Sequence, residues 1–156
     1  MKILIRLADG TLAVVTPIAA REDGQSEAEY LAKRAAVAIA KAGLAGATVL
    51  AYVPDAVVES ADRYFRKAWD WAASLEIDMP KARTIVREDL RDERAKRFAA
   101  LDGAWMRATA RGDQQAAAVI EAKREALRNW PSDPRIDASP DAVALRTLIQ
   151  DMKKEQ

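Results

Sequence analysis

The feature that most constrains this chain is the run MPKARTIVREDLRDERAKRFAALDGAWMRATAR, from Met79 to Arg111, which carries one helical pattern from end to end. Asp78 precedes it, and Pro80 sits in the first turn, where a missing N–H costs nothing. Val86, Leu90, Phe98, Leu101, Trp105 and Ala108 keep to one stripe, with the charged Glu93 and Arg94 where the next apolar residue belongs. Gly112-Asp113 reads as a C′ glycine followed by the N-cap of a second helix, QQAAAVIEAKREALRNW, with Ala116, Ile120, Lys123, Leu127 and Trp130 on one face. So short a turn forces the two helices antiparallel, so residues about 79–130 are expected to form an αα-hairpin. Gly103 costs about 1 kcal/mol relative to alanine inside a helix, which permits a break there without requiring one. Pro131 and Pro134 end the second helix, and Ser139-Pro140 starts a short last one with Val143, Leu145, Leu148 and Met152.

Upstream the period is different. KILIRL alternates Ile3, Ile5 and Leu7 against Leu4 and Arg6, Asp9-Gly10 supplies a tight turn, and TLAVVTP returns as a second strand stopped by Pro17. Ser26 and Glu29 form a capping-box signature ahead of EAEYLAKRAAVAIAKA, and Gly43 ends that helix. ATVLAYVP then reads as a third strand. The expectation is an α+β protein: a small ββαβ unit over residues 1–57, then a helical region over 58–156, with the boundary near Pro54 to Ser60.

The stretch YFRKAWDW places four aromatics in eight residues of a chain with four Trp, three Tyr and two Phe. Read as a short helix over about 61–73, it puts Phe65 and Trp69 on one face with Ala72. Tyr64, Ala68 and Trp71 form a second stripe, rotated by about 100°. One neighbouring helix cannot cover both stripes. One is therefore expected in the core, against Trp105 or the strand unit, and the other against another part of the chain or a partner. Tyr64, Phe65, Trp69 and Trp71 are accordingly candidate partner contacts.

Composition narrows the chemistry. Alanine makes up roughly one residue in five, far above ordinary usage, which favours close-packed helices with few large anchors. The chain has no cysteine and no histidine, so it lacks a disulfide framework, a thiolate nucleophile, and the commonest general base and metal ligand. Glu88, Asp89, Asp92 and Glu93 share helix faces in pairs, as a carboxylate metal site would need, but Arg91, Arg94, Lys96 and Arg97 interleave with them as ion-pair partners. Arg83, Arg87, Arg91 and Arg94 line a basic stripe, a candidate contact for phosphate or an acidic protein surface. With 25 basic residues against 24 acidic, the field expected of a nucleic-acid binder is missing. No stretch has the length of a membrane span, and the opening MKILIRLADG breaks too early for a signal peptide. No catalytic residue, metal or cofactor is expected.

Three further stretches carry a resemblance: DRYFRKAW; then IDMPKARTIVREDLRDERAKRFAALDGAWMRATARGD; then EAKREALRNWPSDPRI. Together they resemble small tailed-phage and prophage proteins described as tail assembly chaperones or tail-fibre-associated proteins. The matching positions include Asp62, Arg63, Phe65, Arg66, Ala68 and Trp69, then Met79, Lys81, Ala82 and Arg83. Further on they are Leu101, Asp102, Trp105 to Ala108, Gly112, Asp113, Leu127, Arg128 and Pro131, so the likeness spans about residues 60–137. It implies a non-enzymatic role in tail assembly, with a phage tail or tail-fibre protein as partner. The setting implied is the host cytoplasm during assembly, or the virion tail. Separately, a charged, alanine-rich helix pair with few large residues makes homo-oligomerisation an expectation, since a second copy would bury its Trp side chains. A structural component retained in the finished tail or baseplate is the first alternative, and a nucleic-acid-binding accessory protein the second. Trp71 falls outside the family pattern.

Overall fold

A computed structural model describes residues 1–154 and confirms the α+β class. The chain divides into two compact units, Met1–Asp78 and Met79–Gln156. The division falls well past the expected Pro54–Ser60 boundary, because the aromatic segment belongs to the first unit.

In the first unit, β1 (Lys2–Arg6) is the middle strand of an antiparallel sheet in the order β2-β1-β3, with β2 at Leu12–Val15 and β3 at Thr48–Val53. The Asp9-Gly10 turn forms as read, with Gly10 at φ 82° and the Asp9 carboxylate accepting the Thr11 N–H at 2.8 Å. The sheet is covered on both faces, so Ile3, Leu4 and Ile5 are all wholly buried. Ile3 and Ile5 pack with Leu31 and Ala35 of α1 (Glu27–Lys41). Leu4 points the other way, into a cluster with Leu12, Val53, Val58 and Trp69.

A register shift opposite Leu4 and Ile5 leaves Leu50 as an extra residue in β3. Val49 therefore packs with the α1 cluster, while Leu50 and Ala51 both pack with the opposite one, the face change that a bulge produces. The capping box of α1 is complete: Ser26 Oγ accepts the Glu29 N–H at 3.3 Å, and the Glu29 carboxylate accepts the Ser26 N–H at 2.9 Å.

The expected helix over 61–73 is not formed. After α2 (Asp55–Glu59) the chain makes a 3₁₀ turn, Arg63–Ala68, and then the strand β4 (Trp69–Trp71), which pairs with β5 (Leu75–Ile77). Asp62 caps the turn by accepting the Tyr64 N–H at 2.9 Å. The indole N–H of Trp69 donates to the Asp62 carbonyl at 3.1 Å. With this bond made, the whole ring can enter the apolar cluster without an unsatisfied donor.

The second unit is helical. α3 (Met79–Ala110) is unbroken through Gly103 and spans about 48 Å at 1.5 Å per residue. Gly112, at φ 72°, turns the chain into α4 (Gln114–Asn129), capped by Asp113 accepting the Ala116 N–H at 2.9 Å. A 3₁₀ turn (Trp130–Ser132), α5 (Pro134–Ala138) and α6 (Ala142–Lys154) return along α3. α5 was not expected. It forms because Asp133 caps it and Pro134 opens it. The core of the second unit includes Ala82, Val86, Leu90, Ala108, Leu127, Trp130, Ile136, Leu145, Ile149 and Met152.

Candidate interaction surfaces

The four aromatics do not form two helical stripes. Three residues per turn in a 3₁₀ helix align side chains three apart, and Phe65 and Ala68 are accordingly both wholly buried. Tyr64 is half-buried and meets Phe65 edge-on, the ring centroids 4.8 Å apart. Trp69 is 3% exposed. Trp71, on the strand, is half-buried against the Leu4 cluster. Phe65 is thus removed from any surface role, Trp69 is nearly so, and Tyr64 and Trp71 keep partial exposure. Strand geometry, not helix periodicity, sends Trp69 inward.

The arginine stripe is also largely committed. Arg83 donates to the carbonyls of Ile136 at 3.3 Å and Ser139 at 3.1 Å, and Arg87 pairs with Asp137 at 2.6 Å. Arg94 reaches the Arg128 carbonyl at 3.4 Å. Arg83 and Arg87 fasten the returning segment to α3 and Arg94 ties α4 to it, leaving Arg91 as the exposed member. Two of the carboxylates between them are similarly used: Asp89 pairs with Lys153 at 2.8 Å, and Glu93 with Arg97 at 2.9 Å. Arg97 holds the Glu93 carboxyl below its ordinary value. Among the described residues no group of three potential metal ligands converges, and no helix is long and apolar enough to cross a membrane.

The outer half of the αα-hairpin stands apart. From residue 91 to residue 126, Ala108 alone is buried. The α3 side chains Phe98, Leu101 and Trp105, and Ile120 of α4, are half-covered, while Met106 and Val119 are 66% and 54% exposed. What closes the seam between the helices is largely charge. The Arg124 guanidinium lies 5.9 Å from the Phe98 ring and 5.5 Å from the Trp105 ring, within the range of cation–π attraction. It also pairs with Asp102 at 3.0 Å and Glu121 at 2.6 Å. Arg128 reaches Glu121 at 2.9 Å and Glu125 at 2.7 Å, and its bond, with that of Arg124, holds the Glu121 carboxyl below its ordinary value.

Sequence periodicity identified the hairpin but not this arm, because a half-covered stripe and a buried one have the same spacing. The one available signal was the alanine content of α4, which supplies little area to cover Phe98 and Trp105. Comparison with known proteins finds no matching family model, curated protein or solved structure.

Proposed function

We propose that this chain is a non-enzymatic assembly factor of a phage tail, using the outer half of its αα-hairpin to hold a tail or tail-fibre protein. The observation that carries the reading is the arm itself, where one buried residue lies between positions 91 and 126 and large apolar side chains remain half-covered. Removing apolar surface from water is worth about 25 cal/mol per Å², so a partner laid along Phe98, Leu101, Trp105 and Met106 gains what the chain itself does not collect. The tail setting rests on the resemblance of residues 60–137 to tail assembly proteins. A component retained in the finished tail would use the same arm. The nucleic-acid alternative is weakened by the engagement of Arg83, Arg87 and Arg94 within the chain.

Quantitative mass spectrometry of washed particles beside the crude lysate tests this. An assembly factor is abundant in lysate and missing from particles, and its deletion yields particles with defective tails. Fixed stoichiometry in washed particles assigns the retained role instead. Normal, infectious tails after deletion would end both readings.

A further inference from the structure

A recess of about 210 Å³ opens in the first unit between β2, α2 and the 3₁₀ turn. Val14, Val58 and Trp69 give it apolar lining, and Arg63 and Arg66 line it as well. The two arginines are three residues apart on the 3₁₀ turn, the spacing that stacks side chains on one edge. The turn is bent at Phe65 (φ −91°, ψ 20°), yet both still line the recess.

Several cations of this unit are paired within it. Lys2, also in the lining, donates to Thr16 Oγ1 at 3.2 Å and sits 3.8 Å from the Asp55 carboxylate. Arg6 is held by Asp70 at 2.7 Å and Lys33 by Glu22 at 2.6 Å. The Arg63 and Arg66 side chains have no hydrogen-bond or ion-pair partner among the described residues, and neither does that of Glu59 on the α2 side of the recess. Two guanidiniums lining one recess can engage a single carboxylate through paired N–H bonds.

We propose that the recess binds the C-terminal residue of a peptide. Its carboxylate lies between Arg63 and Arg66, an apolar side chain packs on Val58 and Trp69, and the backbone N–H donates to Glu59. A volume of about 210 Å³ suits a single residue. It holds roughly seven waters at about 30 Å³ each, and falls below the range of about 300–1,000 Å³ usual for cofactor and drug-sized sites. Inorganic phosphate could meet the arginines, but it would leave the apolar wall uncovered. The site stands independently of the tail-assembly role, since it lies in the other unit and uses none of the arm's residues.

The test is a titration of the full-length, ¹⁵N-labelled protein with N-acetyl-L-leucine, N-acetyl-L-leucinamide and inorganic phosphate. The Trp69 indole N–H, anchored on Asp62, serves as reporter. Expected are saturable shifts at residues 14–16 and 63–69, with N-acetyl-L-leucine bound at least tenfold more tightly than either comparator. The R63Q/R66Q double variant loses at least tenfold in affinity while keeping its backbone spectrum. Should the pair misfold together, Arg63→Gln and Arg66→Gln singly carry the same test, each weakening binding severalfold. No saturable shift, equal response to the leucinamide, phosphate binding as tight as N-acetyl-L-leucine, or arginine variants of unchanged affinity would each overturn the proposal.

Discussion

Arg6, at the end of the central strand, donates to the Asp70 carboxylate at 2.7 Å and to the neighbouring Trp71 carbonyl at 3.2 Å. Strand alternation places Arg6 on the same face of β1 as Leu4, so the guanidinium and the Leu4–Trp69 packing act on β4 from one side. This pair holds the aromatic segment as a strand. Arg6→Met keeps the apolar stem and loses both bonds. It is expected to destabilise the protein by about 1 kcal/mol, the upper end for a half-exposed ion pair. Urea denaturation followed by Trp fluorescence measures it, and Asp70→Asn in a double-mutant cycle isolates the coupling. Independent, additive effects would mean the bond does not hold β4.

The inner and outer halves of α3 should respond very differently to the same truncation. Leu90 is wholly buried, and Leu90→Ala is expected to cost about 2–5 kcal/mol. Leu101 is half-covered, and Leu101→Ala is expected to cost about 1 kcal/mol or less. Equal losses in denaturation experiments would show the arm to be covered in solution, for instance by a second copy of the chain.

Two glycines of the hairpin should change stability in opposite directions. At Gly103 an added Cβ meets only the end of the Arg107 side chain, at 3.3 Å, and the backbone is ordinary helix. Gly103→Ala should therefore raise stability by up to about 1 kcal/mol. Gly112 has φ 72°, which an L side chain resists by about 1–2 kcal/mol, so Gly112→Ala should lower it. Thermal melts of the two variants decide; a destabilised Gly103→Ala would mean α3 bends there in solution.

Acid should weaken the second unit through its ion pairs. Arg97 depresses the Glu93 carboxyl, Arg128 that of Glu121, and Arg135 that of Asp133, relative to ordinary values of 4.5, 4.5 and 3.8. Near and below those values the unfolded chain binds more protons than the folded one, so stability rises with pH there. The contribution is complete above about pH 5 and is lost as pH falls through the depressed folded values. Urea midpoints should drop between pH 5 and pH 3, and Glu121→Gln should flatten part of that slope. An unchanged slope would mean the Glu121 pairs are not formed in solution.

Local chemistry carries much of this fold. The Asp9-Gly10 hairpin, the Ser26/Glu29 capping box, and the Gly112-Asp113 break between two long helices are each specified within a few residues of chain, by backbone preferences that hold whatever surrounds them. They were legible for that reason, and the α+β class follows from them.

FRKAWDW behaves differently. Its apolar spacing fits a helix, and nothing within the segment distinguishes that from a 3₁₀ turn followed by a strand. The choice is made by partners far away in sequence: Leu4 and Val53 receive the Trp69 ring, Arg6 fastens Asp70, and Leu75–Ile77 completes the ladder. The same contacts draw the segment into the first unit and move the boundary to Asp78. Arg83 and Arg87 lose their freedom only because α5 folds back over them. Turns and caps are written in backbone energetics that act over a few residues. Which side of an aromatic or a guanidinium is used depends on what arrives from elsewhere to bury it or pair it, and that is a property of the packed chain.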